Sequence, residues 1–381
     1  MLINPKNTST TISSSKSSDT SDQKIRLQDV IKRLFLMLIS YRTKPREDVK
    51  IDLKKIQNVL ILRNDGLGDY VLTTPIISVL KKMNPSINID VIASHRNAPL
   101  IEQDYNVRRV FRTGHRSRFL EFLNIYKEIC KYSNYDLMIA AKHTKITNTA
   151  LLFNLISRKA LKIGFKIASV NNEFIINSYK LTFNNILRNS NLKYSQLQKE
   201  TLQTISSEVL PFGDAYLLNE KFTIENKKTN KSKGVLKILV NISGFEKTRI
   251  FNEEYIKSIK KVIQEINTNI ELTFISSPQL YPKLDKLASE GLLSPNEIRK
   301  YDLLELIKEL PKFDAVITPD TAISHFASVL NIPQIIFYDK LSNFLEWCPD
   351  NDNYLALVGN GDINDIDCNE FKEAANLLIL Q

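Results

Sequence analysis

The chain has few cysteines, and they form no recognisable pairing pattern. Only three occur, Cys130, Cys348 and Cys368, and none belongs to a C-x-x-C motif. An odd number without that spacing predicts neither a disulfide framework nor a zinc knuckle. We therefore expect a protein of a reducing compartment, the cytoplasm.

Long apolar runs are scarce as well. No stretch approaches the roughly 18 consecutive apolar residues of a membrane-spanning helix. The opening residues, MLINPKNTSTTISSS, lack the basic and apolar regions of a signal peptide. Hydrophobic residues make up 43% of the 381 and charged residues 25%, a composition typical of a globular protein whose length suits two domains.

Positive charge is concentrated near the start of the chain. The formal net charge is +10, yet residues 1–55 alone hold twelve Lys/Arg against six Asp/Glu, and the remainder is nearly balanced. A nucleic-acid-binding domain usually carries a basic stripe on its folded part. No such stripe is evident, so nucleic acid is not an expected partner.

Residues 1–24 are rich in Asn, Ser, Thr and Lys, which predicts a disordered tail. Residues 25–50 form a basic amphipathic segment. Its apolar residues recur at helical spacing and are Ile25, Leu27, Val30, Ile31, Leu34, Phe35, Leu38 and Ile39. The basic residues around them are Lys24, Arg26, Lys32, Arg33, Arg42, Lys44 and Arg46. Two interpretations stay open: a helix packed on its own protein, or one lying on the anionic inner face of the cytoplasmic membrane.

The rest of the chain alternates strand and helix patterns, which predicts α/β architecture with parallel sheets. We expect one domain over 51–224, a polar linker over 225–234 and a second domain over 235–381. In the first domain a helix is predicted over 74–83, with Thr74 as its N-cap and Pro75 in its first turn. The sequence leaves the role of 171–215 open.

A first candidate site follows the predicted strand at 58–62. It is a glycine-bearing turn that contains Arg63, Gly66, Gly68 and Asp69. A dinucleotide-binding loop would need a third glycine where Val71 stands. The turn instead places Asp69 at the carboxyl end of a strand, where α/β proteins bind ligands. A purely structural role for Asp69 in the turn is the alternative.

A second candidate site is TPDTAISH, residues 318–325, which follows a buried strand and opens a helix. Unpaired N–H groups at a helix start suit a diphosphate. Asp320 and Thr321 are also both good helix N-caps, which is the structural alternative. A lone histidine such as His325 most often packs in the protein interior.

A third candidate site is NISGFEKTR, residues 241–249, at the end of the first strand of the second domain. Lys247 and Arg249 could neutralise a leaving phosphate. In a lysine-rich chain they could equally be surface charges.

Metal binding has little support in the sequence. Two D-x-D pairs, at 350–352 and 365–367, fall in polar segments after the last strands, and the four histidines lack metal-ligand spacing. We expect neither a metal site nor a cofactor.

Together the three segments resemble glycosyltransferase family 9, the heptosyltransferase-like group. VLILRNDGLGDYVLTTPIISVLKKMNPSINIDVIAS (59–94) is similar to the family's opening strand, its L-G-D turn and its T-x-P helix start. AVITPDTAISHFASVLNIPQIIFYDK (315–340) is similar to the family's D-T-G-x-x-H segment, and Trp347-Cys348-Pro349 matches a W-x-P motif. The resemblance spans roughly residues 59–350.

The resemblance implies GT-B architecture: two Rossmann-like domains that face each other across a cleft. The first domain would receive a glycan acceptor, with Asp69 as general base and Arg63, Gly66 and Gly68 on the acceptor-side loop. The second would bind a nucleotide-sugar donor through the residues of the other two segments, namely Ser243, Lys247, Arg249, Asp320, Thr321, Ala322 and His325.

The resemblance further implies an inverting, metal-independent transferase that moves a sugar such as heptose from a donor such as ADP-heptose to a glycan or glycolipid such as lipopolysaccharide core. Three positions depart from the family pattern. Ala322 replaces a glycine, Arg249 stands where lysine is common, and Ser277-Pro278-Gln279 lacks the carboxylate that often holds the donor ribose. The nucleotide therefore stays open. The alternatives are a GT-B-fold epimerase or hydrolase, and a degenerate nucleotide-sugar-binding or scaffold protein without transferase activity.

Overall fold

The computed structural model of the chain describes residues 1–7, 27–40, 49–113, 119–132, 134–141, 153–157, 159–165, 185–187, 193–227, 234–267 and 269–379. These residues fold into two units, which divide between Asn219 and Glu220. The N-terminal unit ends at Asn219. The C-terminal unit contains the first residues of the chain and everything from Glu220 onward.

The N-terminal unit is built on a six-stranded parallel sheet in the order β4-β3-β2-β5-β6-β7. Its strands are β2 (Asn58–Arg63), β3 (Asn88–Ser94), β4 (Arg109–Thr113), β5 (Leu137–Ala140), β6 (Leu161–Phe165) and β7 (Asn185–Leu187). Its helices are α1 (Leu27–Ser40), α2 (Leu67–Met83), α3 (Ala98–Ile101), α4 (Phe119–Cys130) and α5 (Tyr194–Ile205). This is the Rossmann strand order, and the order reverses between β2 and β5, where such folds bind ligands.

The C-terminal unit has a second six-stranded sheet, in the order β1-β12-β11-β10-β8-β9. Its strands are β1 (Leu2–Ile3), β8 (Leu236–Asn241), β9 (Ile270–Ile275), β10 (Ala315–Pro319), β11 (Gln334–Tyr338) and β12 (Tyr354–Val358). Its helices are α6 (Glu220–Asn226), α7 (Glu253–Ile266), α8 (Tyr281–Ser289), α9 (Leu303–Glu309), α10 (Ala322–Val329), α11 (Leu341–Trp347) and α12 (Cys368–Ile379). Strand order reverses between β8 and β10, a second position at which folds of this kind bind ligands.

Both sheets are buried on both faces, which explains why their strands are continuous apolar runs. Val59, Leu60 and Ile61 in β2, and Val316 and Ile317 in β10, are all fully buried. The α/β architecture with parallel sheets that the alternating patterns predict is confirmed, and so are the two Rossmann-like units that the family resemblance implies.

The structure differs from the sequence-based expectation at the first residues. The composition of residues 1–24 predicts a disordered tail, but Leu2–Ile3 form an antiparallel strand that pairs Leu2 with Leu357 and Ile3 with Ala356. Ile3 is buried against the C-terminal sheet. Burial of this apolar pair on an open sheet edge offsets the cost of ordering it. Residues 8–24 lie outside the described residues.

The proposed linker also differs in part. Residues 220–226 form helix α6 within the C-terminal unit, so the unit boundary precedes the predicted linker at 225–234. Residues 228–233 of that linker lie outside the described residues.

The start of α2 corrects a further prediction. Helix α2 begins at Leu67, with Gly66 as N-cap, so Thr74 and Pro75 lie inside it. Proline has no N–H to donate to the carbonyl four residues earlier. The Thr74 hydroxyl donates to that carbonyl, Val71 O, at 2.7 Å. A buried side chain thus replaces the missing backbone hydrogen bond.

Candidate functional site

Asp69 lies in the first turn of α2, just after the loop that follows β2. We name residues 64–69, the loop and this first turn, the Gly66 turn. Its Oδ2 accepts a hydrogen bond from the Gly66 backbone N–H at 3.0 Å, so the carboxylate caps the helix from its third position. A Cβ on Gly66 would lie 2.5 Å from that Oδ2. Position 66 therefore requires glycine if the carboxylate is to keep this place. Gly68, also predicted for the site, is buried in the first turn of α2.

Only one oxygen of the Asp69 carboxylate is hydrogen-bonded within the described residues. The side chain is partly exposed, and among the described residues its Oδ1 makes no hydrogen bond. The turn follows β2 at the point where the strand order reverses, so the carboxylate sits at the ligand-binding edge of the sheet. Asp69 is therefore a structural cap whose second oxygen remains available to a hydroxyl.

Arg63, predicted on the acceptor-side loop, lies beneath the turn. It is fully buried, so it cannot contact an acceptor as the structure stands. Its guanidinium donates to Asp65 Oδ2 at 2.8 Å, to the Tyr194 hydroxyl at 2.8 Å and to Thr73 Oγ1 at 2.9 Å. Burial lowers the pKa of Arg63, but Asp65, Tyr194 and Asp69 raise it more, so the pKa lies above its ordinary value.

In the C-terminal unit, the second and third candidate segments meet at the carboxyl ends of β8 and β10. The Asn241 amide of β8 donates to Thr318 Oγ1 of β10 at 3.0 Å and to Ser243 O at 2.9 Å. Thr321 caps α10 by accepting from Ile323 N at 3.3 Å. A helix start and two loop ends therefore share one edge of this sheet, where strand order reverses.

Ser243 is engaged within the protein. Its hydroxyl donates to Asn241 Oδ1 at 2.9 Å and accepts from Ser277 N at 2.8 Å, and its side chain is buried. It therefore joins the loops after β8 and β9. Of the other predicted residues, His325 is buried in α10, whereas Ala322 is partly exposed at the start of that helix.

Arg249 forms the charged centre of this edge. Its Nη1 donates to Asp320 Oδ2 at 3.0 Å, and its Nε lies 3.8 Å from Asp339 Oδ1. Both carboxylates are almost fully buried, while 18% of the Arg249 side chain is exposed. We name these three residues the Arg249 cluster. A Cβ on Gly244 would lie 2.5 Å from Arg249 Cβ and O, so that position requires glycine.

Asp339 is a residue of the cluster that sequence analysis missed. It follows β11 and accepts from Asn343 Nδ2 at 2.6 Å and from Thr248 Oγ1 at 3.3 Å. The signal that singled out Asp320, an aspartate directly after a buried strand, applies equally to Asp339.

Lys247 differs from Arg249, two residues later. Its side chain is exposed, and it forms no ion pair within the part of the chain that the structure describes. In that same part no group of three His, Cys, Asp or Glu side chains is arranged to hold a metal ion.

No protein-family model matches the chain. A Haemophilus influenzae protein provisionally named a glycosyltransferase is 25% identical over 311 residues, 78% of this chain and 87% of that protein. The family 9 glycosyltransferase of Veillonella parvula superposes with a TM-score of 0.68 at 15% identity, covering 87% of this chain and 99% of that one. The Escherichia coli heptosyltransferase WaaC, solved with ADP, gives a TM-score of 0.64 at 16% identity, covering 84% and 100%.

These comparisons define the class of fold: the chain shares the two-unit α/β architecture of GT-B glycosyltransferases. They also confirm the resemblance to glycosyltransferase family 9 that the L-G-D and D-T-A-x-x-H segments predicted.

Proposed function

We propose that the protein is an inverting, metal-independent glycosyltransferase. It moves a sugar, heptose in the first instance, from a nucleotide-diphosphate donor to a hydroxyl of a glycan acceptor such as lipopolysaccharide core. The observation that carries the proposal is the placement of Asp69. A carboxylate with one oxygen that makes no hydrogen bond to any described residue sits at the switch point of one Rossmann-like sheet, and a helix start beside Arg249 sits at the switch point of the other.

The proposed reaction is a single displacement. The acceptor hydroxyl loses its proton to Asp69 as its oxygen attacks the anomeric carbon. The bond from that carbon to the diphosphate oxygen breaks, and the nucleoside diphosphate leaves with the bonding electrons. One displacement without an enzyme-bound intermediate inverts the anomeric configuration. The Asp69 proton then passes to solvent.

The leaving diphosphate needs positive partners, and the C-terminal unit offers three. They are Arg249, the exposed Lys247 and the start of α10 with its N–H groups. Because Arg249 already pairs with three carboxylates, those of Glu246, Asp320 and Asp339, a diphosphate would have to share the guanidinium with them or displace one of them. Donor specificity for ADP is supported by the ADP bound in the E. coli heptosyltransferase.

A thermal-shift screen tests the donor. ADP and ADP-heptose should raise the midpoint of unfolding, whereas UDP-N-acetylglucosamine should do so less. A ligand at 100 times its Kd stabilises by about 2.7 kcal/mol. Stabilisation by no nucleotide or nucleotide sugar would refute donor binding. Stabilisation without sugar transfer to any glycan would favour the degenerate binding protein.

An anionic membrane surface is the second proposed partner, and helix α1 carries that proposal. Leu36 of α1 is fully buried in the core of the N-terminal unit. At 3.6 residues per turn, Leu27, Ile31, Leu34 and Leu38 fall within a sector of about 60° on roughly the opposite side. Leu27 and Leu38 are 75% and 76% exposed. These four side chains therefore form an exposed apolar stripe, and it is the opposite face of α1, with Leu36, that packs on the protein.

The charge of this segment supports an anionic membrane as the partner of these exposed apolar side chains. Residues 24–46 contain seven Lys/Arg and a single acidic residue, Asp29. Anionic lipid attracts such a segment by about 1 kcal/mol per basic residue near the surface, and the exposed leucines would enter the headgroup boundary. No helix among the described residues is long and apolar enough to cross a bilayer. The proposed association is peripheral, at the cytoplasmic face.

Leu38→Asp should weaken binding to phosphatidylglycerol-containing vesicles by roughly tenfold or more, because burial of a leucine contributes about 1.5–3 kcal/mol. Co-sedimentation measures this. Ile224→Asp is the matched control, since Ile224 is 72% exposed in the other unit. If the wild-type protein ignores these vesicles at low salt, the membrane proposal is wrong. Deletion of residues 1–48 is a poorer test, because it removes both the buried Leu36 and strand β1.

A further inference from the structure

A buried polar network connects helix α5 to the Gly66 turn, in the region whose role the sequence left open. Tyr194, the first residue of α5, is 1% exposed. Its hydroxyl accepts from both terminal nitrogens of Arg63 at 2.8 Å and donates to Ala141 O, just after β5, at 2.9 Å. One side chain thus connects the ends of the two central strands, β2 and β5.

Thr73 carries the network to the residue that bears the reactive carboxylate. Its hydroxyl accepts from Arg63 Nε at 2.9 Å and lies 2.9 Å from both Asp69 O and Gln198 Oε1. Thr73, Gln198 and Arg63 are all fully buried. The Asp69 carbonyl therefore contacts Thr73, four residues later in the same helix, and Thr73 links it to Arg63 and to Gln198 of α5.

Stability alone does not explain this network, because burying its polar groups costs free energy of folding. It encloses a guanidinium that has lost its water, and the buried Gln198 Nε2 has no hydrogen-bond partner among the described residues. Replacing buried ion pairs by apolar residues of similar volume is often neutral or stabilising. Unlike apolar packing, a hydrogen-bonded network fixes the orientation of the groups that it joins as well as the distances between them.

We infer that Thr73, Arg63 and Tyr194 are positioning residues, which set the orientation of Asp69 toward the acceptor hydroxyl. This inference rests on the proposed role of Asp69 as the general base. All three side chains are buried, so they would act through the Asp69 backbone and the Asp65 carboxylate and not by contact with donor or acceptor. A small misplacement of a catalytic group lowers the rate strongly while binding is kept.

Thr73→Val tests the inference because it removes the hydroxyl and keeps the shape of the side chain. We expect kcat to fall about tenfold or more, with the KM for donor and the affinity for ADP unchanged. Thr73→Ser restores the hydroxyl and should recover most of kcat. Amide hydrogen exchange in residues 64–70 should rise in Thr73→Val, a measurement that needs no activity.

Thr201→Val is the matched control. Thr201 is equally buried, and its hydroxyl donates to the carbonyl four residues earlier, Leu197 O, at 2.7 Å, but it is not hydrogen-bonded to Arg63. The inference is overturned if Thr73→Val and Thr201→Val have the same kcat and the same exchange at 64–70 while Asp69→Asn is inactive. Absence of transfer by the wild-type protein, or full activity of Asp69→Asn, would instead refute the proposed function on which the inference rests.

Discussion

Asp69→Asn should lower turnover by about 10²–10⁴, the usual contribution of a general base. The amide oxygen of asparagine can still accept from Gly66 N, so the cap on α2 and the fold should survive. Affinity for ADP should be unchanged, since the residues proposed to hold the donor belong to the other unit. Steady-state transfer assays and a nucleotide titration measure the two quantities separately.

Asp52→Asn is the matched control for this substitution. Asp52 also accepts from a backbone N–H at a helix start, Lys54 N at 3.0 Å, but it precedes β2 rather than following it. Asp65, four residues before Asp69, looks from sequence like a natural control that tolerates asparagine. The structure shows that it is the ion-pair partner of the fully buried Arg63, so its replacement should destabilise the protein. Near-normal turnover in Asp69→Asn would show that Asp69 caps α2 but is not the general base.

Arg249→Lys should lower the affinity for ADP by about 10- to 100-fold. A hydrogen bond to a charged group contributes about 1.5–3 kcal/mol, and lysine cannot reproduce the fork with which arginine binds phosphate. Lysine keeps a positive charge beside Asp320 and Asp339, so folding should survive. Arg249→Ala should in addition destabilise the protein, because the buried carboxylates of Asp320 and Asp339 lose their ion-pair partner.

Lys247→Ala is the control for the donor site, because its side chain is exposed and outside the Arg249 cluster. It should change ADP affinity by less than Arg249→Lys does. Calorimetric titration measures the ADP affinity of the wild-type protein, of Arg249→Lys and of Lys247→Ala. A larger loss at Lys247 than at Arg249 would show that the family's basic position aligns two residues earlier in this loop.

Much of the fold was predictable because its signals are local. Buried parallel strands are short runs of apolar residues, and the strands predicted at 58–62 and directly before the TPDTAISH segment correspond to β2 and β10. The proposed site residues were predictable for a related reason. In doubly wound sheets ligands bind after the strands, so polar residues that directly follow an apolar run are candidates.

The network beneath Asp69 was not predictable, because its contacts join distant parts of the chain. Tyr194 and Arg63 are 131 residues apart, and Thr73 and Gln198 are 125 apart. No spacing rule connects such positions. The helix start at Leu67 was missed for a different reason: Thr74-Pro75 is a typical N-terminal signal, but a side-chain hydrogen bond to Val71 O allows the proline inside the helix.

Transfer from ADP-heptose to heptose-deficient lipopolysaccharide, measured in excess EDTA, tests the central claim most directly. The wild-type protein should still form the glycosylated product, and its new linkage should have the opposite anomeric configuration to the donor. Asp69→Asn should form little product under the same conditions. Complete loss of transfer in EDTA with recovery on adding magnesium or manganese, or a product that retains the donor configuration, would contradict an inverting, metal-independent reaction with Asp69 as its base.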